Sequence, residues 1–354
     1  METGKALIGM SGGVDSSVAA YLTKNAGISC TGVTMRLYTK GEGHHDDAED
    51  ARSVAQRLNM PFEIFDFQPQ FRDWVLEDFV RSYESGSTPN PCIVCNRKLK
   101  FGALLEKALD LGFDWVVTGH YARIRRDPDT GRYLLCKAVD SAKDQSYFLA
   151  CLSQHQLSHI RFPLGELTKQ EVRAIAEEMG FGNARKRDSQ DICFVPDGDY
   201  AAFLEHYTGK HYPPGSYLDL AGNTVGTHKG AVCYTLGQRK GLGIALGAPV
   251  YVCAKDMAAN TVTVGPNEAL FTNVLRADNW NWYPFPALEE PMEVSVKIRH
   301  SQKEVAATVY PEADGFARVE FAEPQRAVTP GQAVVLYQGD TVIGGGTIRQ
   351  AYTL

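Results

Sequence analysis

The stretch that decides the fold is Leu7-Ile8-Gly9-Met10-Ser11-Gly12-Gly13-Val14-Asp15-Ser16-Ser17. Its apolar start predicts a buried strand, its glycines predict a turn, and a helix is expected to begin near Asp15. Because Gly12 and Gly13 adopt backbone angles that other residues resist, successive N–H groups can point into one concave anion site. The helix start adds unsatisfied amides and the positive end of its dipole. Asp15 is a candidate for orienting the loop or helping to hold Mg²⁺, and hydroxyls come from Ser11, Ser16 and Ser17.

This loop lacks the GxxxxGK[ST] pattern, which excludes a Walker A site. An ordinary tight turn is the alternative, since glycine and serine often follow a strand. Two glycines, an acid and three hydroxyls coincide at this strand-to-helix junction, which favours a nucleotide site. The string SGGVDSS (11–17) resembles the PP-loop of the ATP pyrophosphatase superfamily. That resemblance implies cleavage of ATP between its α- and β-phosphates, with adenylation of a substrate and release of pyrophosphate.

Composition narrows the class of protein. The chain has 354 residues, of which 44% are hydrophobic and 22% charged, as in ordinary soluble proteins of two or three domains. No run of about 18 apolar residues predicts a transmembrane helix, and no signal-peptide pattern is present, so we expect a cytoplasmic protein without membrane contact. The net charge of −6 argues against strong non-specific binding to nucleic acid. Local basic clusters nevertheless permit an RNA ligand, and they lie at residues 97–100, 123–126, 185–187 and 239–240.

The order of strands and helices predicts the architecture. Strands alternate with helices as far as residues 115–118, which indicates a doubly wound parallel α/β sheet. Two prolines predict a stiff loop over 86–96 with a helix resuming at Lys98, and a capping box is expected to begin the helix after Thr168. We predict an α/β domain over 1–196, a small central α+β domain over 197–275 and an all-β barrel over 276–354.

Three of the eight cysteines stand in polar contexts, whereas five are expected to be small buried hydrophobes. Cys92 and Cys95 form a CxxC in the predicted stiff loop, and Cys193 follows about a hundred residues later. A structural zinc site lacks its remaining ligands, because no second CxxC or CxxH is present. Three thiolates suit a nucleophile with a resolving partner, or an iron–sulfur cluster with one open position.

Long ordered motifs along nearly the whole chain resemble the bacterial tRNA-specific 2-thiouridylase family. The resemblance implies an adenine nucleotide alpha-hydrolase-like N-terminal domain and transfer of sulfur to C2 of the wobble uridine in tRNAs for Lys, Glu and Gln. ATP would adenylate the uracil O2 and so create a good leaving group. The motifs that carry the resemblance are GMSGGVDSS (9–17), TPNPCIVCNRKLKF (88–101), TGHYAR (118–123), KDQSYFL (143–149), SQDICFV (189–195), YTLGQRKGLGI (234–244) and TPGQ (329–332).

The resemblance also assigns binding residues, each of which has an ordinary structural alternative such as a turn cap or a strand end. It implies ATP contacts for Gly9, Met10, Ser11, Gly12, Gly13, Val14, Asp15, Ser16, Met35 and Gly119. It implies tRNA contacts for His120, Lys143, Asp144, Gln145, Arg299, His300 and Gln332. The target base would lie against Asn90, Pro91 and Cys92.

The sulfur chemistry implied by the resemblance divides the work between two thiols. Cys193 would carry the sulfur as a persulfide, delivered by a cysteine desulfurase or a persulfide relay protein. Cys95 would attack that persulfide, releasing sulfide or leaving a Cys95–Cys193 disulfide. Some family members have Asp where this chain has Cys92, so a general base is not expected at that position. A [4Fe–4S] cluster on the three cysteines is therefore a competing mechanism.

Two other functions are alternatives to a thiolation enzyme. A PP-loop amidotransferase or synthetase would need no essential thiol, and a non-catalytic RNA-binding protein would form no pyrophosphate. We also expect the segments 86–96 and 185–195 to become ordered around the adenylated base when tRNA binds.

Overall fold

The computed structural model describes residues 4–38, 47–184, 186 and 192–353. The polar segment at 39–46 and the basic residues Arg185 and Arg187 lie outside the described residues. So do residues 188–191, which include the first half of the predicted motif around Cys193.

The described part of the chain contains 17 strands. They are β1 (Lys5–Gly9), β2 (Ser29–Arg36), β3 (Phe62–Asp66), β4 (Trp115–Thr118), β5 (Arg123–Arg126), β6 (Tyr133–Cys136), β7 (Ile160–Arg161), β8 (Gly215–Leu218), β9 (Thr224–His228), β10 (Tyr251–Asp256), β11 (Thr261–Gly265), β12 (Phe271–Trp282), β13 (Met292–Lys297), β14 (Val305–Pro311), β15 (Ala317–Arg326), β16 (Ala333–Gln338) and β17 (Thr341–Tyr352).

The helices cluster in the first 210 residues. The α-helices are α1 (Val14–Asn25), α2 (Asp47–Arg57), α3 (Gln68–Phe71), α4 (Glu77–Glu84), α5 (Pro91–Cys95), α6 (Leu104–Asp110), α7 (Ser146–Leu149), α8 (Gln154–Ser158), α9 (Lys169–Glu178) and α10 (Tyr200–Thr208). Two π-helical segments join neighbouring α-helices, Arg72–Leu76 and Asn96–Ala103. Short 3₁₀ turns lie at Ala231–Cys233, Asn267–Leu270 and Ala313–Gly315. No helix among the described residues is both long enough and apolar enough to span a bilayer.

The N-terminal sheet is parallel, with the strand order β3-β2-β1-β4-β7, and it carries a hydrophobic core on each face. Successive residues of a strand point to opposite faces. Ala6 and Ile8 accordingly join the core packed by α1, α2 and α9, whereas Leu7 joins the core packed by the helices between Gln68 and Asp110. The predicted doubly wound sheet is confirmed.

The predicted loop over 86–96 is wrong in its second half, because α5 begins at Pro91. Proline loses nothing at the first helical position, where its missing N–H would have no partner in the helix. The Asn90 side chain caps this helix by accepting a hydrogen bond from the Ile93 N–H at 3.4 Å. Helical structure then continues through the π-helical segment Asn96–Ala103 into α6, so both cysteines of the CxxC lie on a helix.

The remaining domains are β-rich, as the predicted fold class required. Strands β8–β11 form a four-stranded sheet beside α10, which is the central α+β unit. Six antiparallel strands follow, and pairing of β12 with β17 closes them into a barrel. The boundary expected near residue 276 falls inside β12. Hairpin β5–β6 of the first domain joins the barrel sheet through the pair Cys136–Thr341.

Candidate active site

The glycine-rich loop after β1 forms a concave turn at the carboxyl edge of the parallel sheet. Strands β2 and β4 flank β1, so the loop lies where the strand order reverses, which is the usual ligand position in such sheets. Gly12 has a φ of +70°, a conformation that favours glycine. The Ser11 N–H donates to Ser16 Oγ at 3.2 Å, and the Ser16 hydroxyl donates to Gly13 O at 3.0 Å. The loop is therefore held in shape by its own hydroxyls.

The Asp15 carboxylate in the first turn of α1 is held by two side chains from distant parts of the chain. Lys169 Nζ donates to both of its oxygens, at 2.7 and 2.9 Å, and the Tyr121 hydroxyl donates to Oδ1 at 2.8 Å. Lys169 is buried, with 9% of its surface exposed. The sequence analysis did not identify Lys169 as a site residue. One signal was available, since a cation in the first turn of a helix opposes the helix dipole and so needs a partner elsewhere.

Two more residues from outside the loop fix its position. Asn183 Nδ2 donates to Gly12 O and to Ser17 Oγ, both at 3.0 Å. Gly119 follows β4, and a Cβ there would lie only 2.6 Å from the backbone C of Asp15 and N of Ser16. Gly119 therefore permits the end of β4 to touch the loop. This packing role was not foreseen for Gly119, and Asn183 was missed altogether.

The other predicted ATP contacts divide into backbone and side-chain candidates. Met10 and Val14 are buried in the core beside α1, so only their backbone atoms face the loop. Met10 is tied to β2, because its N–H donates to Val33 O and its carbonyl accepts from Thr34 Oγ1, both at 2.8 Å. Met35 is half-buried near the carboxyl end of β2, next to the strand that carries the loop.

The two cysteines of the CxxC have different environments on α5. Cys92 is exposed, whereas Cys95 is buried in the core of the sheet. Burial raises the pKa of the Cys95 thiol to about 11, although the positive charge of Lys100 acts in the opposite direction. Partial desolvation also raises the pKa of Cys92, again opposed by Lys100. Both sulfurs are therefore thiols near neutral pH in this conformation, and a thiol is a weak nucleophile.

Cys193 is exposed, and the residue after it is anchored. Phe194 is 4% exposed and packs edge-to-face against Phe71 and Phe79, with centroid distances of 5.8 and 5.1 Å. A charge on Cys193 would raise the pKa of Cys95, so the two thiols lie within electrostatic reach of each other. All eight cysteines are described, and they form no disulfide in this structure.

Cys92, Cys95 and Cys193 are also the residues that the sequence offers as ligands of an iron–sulfur cluster. In the described part of the chain, no group of three His, Cys, Asp or Glu side chains is arranged to hold a metal ion. Cys92, Cys95 and Cys193 thus do not form a cluster site in this conformation.

The continuous helical stretch Pro91–Ala103, which carries Cys92 and Cys95, is called the thiol helix below. His120 lies between the glycine-rich loop and this helix. Its Nδ1 lies 2.7 Å from Thr118 Oγ1, and its ring packs against Phe101 and Phe162. Desolvation, and secondarily the charge of Lys100, hold the pKa of His120 well below its usual value. His120 is therefore a neutral imidazole at physiological pH.

The residues expected to face tRNA also make contacts within the protein. Asp144 is buried, and its carboxylate accepts from the Ala138 N–H at 3.0 Å and the Ser146 hydroxyl at 2.7 Å. His300 Nε2 lies 3.2 Å from the Asp144 carbonyl oxygen, and its ring packs on Phe148.

Three further residues of this set tie loops together. Gln145 Oε1 accepts from the Tyr121 N–H at 2.9 Å. Arg299 donates to Arg326 O at 2.8 Å, and Gln332 Nε2 donates to Thr88 O and Pro89 O at 2.9 and 3.1 Å. Lys143 is half-buried beside Asp144. Residues 143–145 and 300 thus form one contiguous group, whereas Gln332 contacts the segment that leads into α5.

The fold and the site together define a class of protein. It has several domains, and a glycine-rich loop suited to phosphates lies where the strand order of a parallel α/β sheet reverses, with a cysteine-bearing helix beside it. Family models match the chain over its length. The model described as the tRNA methyl transferase HUP domain matches residues 4–197. The tRNA methyl transferase PRC-barrel domain matches 201–266, and the aminomethyltransferase beta-barrel domain matches 272–348.

Curated relatives are identical to this chain at about half of the aligned positions. The tRNA-specific 2-thiouridylase MnmA of Heliobacterium modesticaldum is 50% identical over 97% of this chain and 91% of its own length. That of Acetivibrio thermocellus is 47% identical over 99% of this chain and 100% of its own length. This chain belongs to the family of tRNA-specific 2-thiouridylases.

Solved structures resemble the chain more weakly. A 4-thiouridine synthetase in complex with RNA and ATP matches with a TM-score of 0.34 and 17% identity, covering 57% of this chain and 50% of the other.

Proposed function

We propose that this chain is an ATP-dependent tRNA sulfurtransferase that converts the wobble uridine of tRNAs for Lys, Glu and Gln to 2-thiouridine. The observation that carries the proposal is the match to a tRNA-specific 2-thiouridylase at 50% identity over 97% of the chain. Family membership weighs against an amidotransferase or a non-catalytic RNA-binding protein.

The first half of the reaction is adenylation. The amides between Gly9 and Ser16, with the hydroxyls of Ser11 and Ser16, suit the phosphates of ATP, and Met35 and Gly119 flank the same sheet edge. The uracil O2 attacks the α-phosphate, and pyrophosphate leaves. Mg²⁺ bound with ATP would neutralise part of the charge on the phosphates. We assign Asp15 to organising the loop, since Lys169 and Tyr121 already engage its carboxylate.

The second half is sulfur transfer. Cys193 carries a persulfide, supplied by a cysteine desulfurase or a relay protein. The Cys95 thiolate attacks the Cys193 sulfur, which forms a Cys95–Cys193 disulfide and releases hydrosulfide. Hydrosulfide adds to C2 of the adenylated base, and AMP leaves with the former O2. An external thiol then reduces the disulfide, so electrons balance over the cycle.

The bound RNA has to present an unstacked base, because C2 is inaccessible inside a stack. We propose that Asn90, Pro91 and Cys92 lie against this base, and that His120, residues 143–145, Arg299, His300 and Gln332 lie along the RNA. The cytoplasmic location and the domain boundaries stay predictions from the sequence.

One assay on the purified full-length chain tests this function. Unmodified tRNA for Glu is incubated with ATP, Mg²⁺ and a persulfide donor, and 2-thiouridine, AMP and pyrophosphate are quantified. Equal amounts of the three products are expected, and omitting ATP should abolish all of them. Pyrophosphate without 2-thiouridine in the presence of donor would contradict sulfur transfer. Thiolation that requires iron and stops when a chelator removes it would favour the cluster mechanism.

A further inference from the structure

The cation Lys100 lies on the thiol helix and has no role in the reaction proposed above. It is half-buried, and within the described ranges no carboxylate forms an ion pair with it. Its charge acts on three groups of the site: Cys92, Cys95 and His120. A half-buried cation without a carboxylate partner can stabilise an anion that forms beside it during the reaction.

The π-helical segment Asn96–Ala103 explains how Lys100 comes to the side of Cys95. In a regular α-helix, residues five apart point about 140° away from each other. A π-turn instead bonds residue i to residue i+5, which brings such residues one above the other. Cys95 and Lys100 have this spacing. So do Arg97 and Gly102, and a Cβ at Gly102 would lie 2.9 Å from Arg97 O.

Neighbouring residues stabilise this wider turn. Gln156 Nε2 donates to two carbonyl oxygens of this segment, Phe101 O at 2.6 Å and Arg97 O at 3.1 Å. Gly102 supplies the space that a side chain would take from the Arg97 carbonyl. The turn is thus built into the fold by residues outside the CxxC.

We propose that Lys100 is a positioning residue for sulfur transfer: its ammonium group stabilises the Cys95 thiolate that attacks, so that less free energy is needed to ionise the buried thiol, whose proton passes to water. This inference rests on the proposed function, in which Cys95 is the attacking thiol. A thiolate buried among apolar side chains needs a nearby cation, and RNA phosphates entering the site would increase that need.

The other groups around Cys95 do not replace this cation. Cys92 and Cys193 oppose ionisation of Cys95. The π-helical segment Arg72–Leu76, which packs against α5, carries Arg72 and Asp73, and these pair with each other at 2.9 Å on the surface. Helix α7 also packs there and contributes Tyr147, whose hydroxyl donates to Ala333 O.

The test measures ionisation of Cys95 without RNA or ATP, so it can fail independently of the proposed function. In full-length protein carrying Cys92→Ser, the rate of iodoacetamide labelling of Cys95 is followed by peptide mass spectrometry from about pH 7 to pH 10. Lys100→Met should slow labelling about tenfold at each pH below the midpoint and move the profile to higher pH. Lys100→Arg should restore most of the rate.

Two further variants keep the inference falsifiable. Lys98→Met removes a cation from the same π-helical segment and should leave the profile unchanged. Gly102→Ala keeps Lys100 but disturbs the turn, and in protein that remains folded it should slow labelling as Lys100→Met does. An unchanged profile in Lys100→Met, an equal effect of Lys98→Met, or no labelling of Cys95 at any pH would each overturn the inference. If Lys100→Met alters the labelling profile but the parent protein does not thiolate tRNA, only the proposed function is overturned.

Discussion

The nucleotide loop and the thiol helix lie at the same edge of the sheet, yet they are prepared to different degrees. Around the loop, Asp15 is paired with Lys169, and Asn183 donates to the loop backbone and to a loop hydroxyl. On the helix, Cys95 is a buried thiol with a pKa of about 11, and Cys193 is exposed and not bonded to it. The loop proposed to bind phosphates is already held in shape, whereas the two thiols proposed to handle sulfur are not joined to each other.

This difference fits the order of the two half-reactions. In the proposed reaction, a preformed glycine-rich loop would let ATP bind without rearrangement, which would lower the free-energy cost of adenylation. A persulfide that met an ionised thiol before the base was adenylated would lose its sulfur to water. Under the proposed function, a Cys95 thiol that stays protonated until substrate binds would protect the sulfur from this loss. The predictions below separate the two regions experimentally.

The largest effect is expected when either sulfur-handling thiol is removed. Cys95→Ser and Cys193→Ser should each lower thiolation by more than about a thousandfold, because a hydroxyl neither carries nor releases sulfur. Exchange of labelled pyrophosphate into ATP with cognate tRNA should stay within about twofold of the parent rate. Cys253→Ser, in the central domain, serves as the control. Loss of exchange in both thiol variants would show that the two regions are not separable.

The next largest effect is expected when the positive charge that balances Asp15 beside the glycine-rich loop is removed. Lys169→Met leaves the Asp15 carboxylate without its cation beside the phosphates, so pyrophosphate exchange should fall about a hundredfold. Labelling of Cys95 by iodoacetamide should not change. Lys210→Met removes an ion pair of similar length to Glu84, at 2.6 Å, and is the control. If Lys169→Met exchanged pyrophosphate at the parent rate, the Lys169–Asp15 ion pair would not be needed for adenylation.

A smaller effect is expected from filling the contact between β4 and the loop. Gly119→Ala places a methyl group 2.6 Å from the Asp15 backbone, which should destabilise the fold by about 1–3 kcal/mol and raise the KM for ATP. Urea unfolding and pyrophosphate exchange measure the two effects. Gly182→Ala adds the same methyl group where no atom lies within 4 Å, and it should leave both unchanged. Equal results for the two variants would contradict the close approach.

The smallest effect is expected at the segment before α5. Gln332→Ala removes two hydrogen bonds to Thr88 O and Pro89 O, which should lower thiolation about threefold to tenfold and leave pyrophosphate exchange unchanged. Gln338→Ala removes a comparable bond to Glu293 O, at 3.0 Å, elsewhere on the barrel. A matching loss in the Gln338 variant would mean that barrel stability alone is being measured.

Local patterns were predictable because their partners are close in sequence. The glycine loop, the alternation of strands and helices, and the capping box of Thr168 with Glu171 all involve neighbouring residues, and the structure contains each of them. The start of α5 at Pro91 was also readable, since asparagine before proline is a helix-start signal. It was missed because the prolines were interpreted as loop residues.

The remaining features depend on residues that only the fold brings together. Lys169 and Asp15 are separated by 154 positions, and Asn183 and Gly12 by 171. No periodicity or spacing rule links such pairs. The π-helical turn beneath Cys95 also escaped prediction, because it depends on Gln156, which donates to its carbonyls from a different helix.

The hairpin β5–β6 has a consequence for biosynthesis. Cys136 pairs with Thr341, which is synthesised 205 residues later, so the hairpin leaves the ribosome long before its neighbour in the sheet exists. At usual translation rates the delay is about 10 to 40 s. Throughout that time the edge of the hairpin offers unpaired backbone groups to other nascent chains. Strand β17 therefore covers an edge of the first domain, and until β17 has been synthesised that edge has no partner in the sheet.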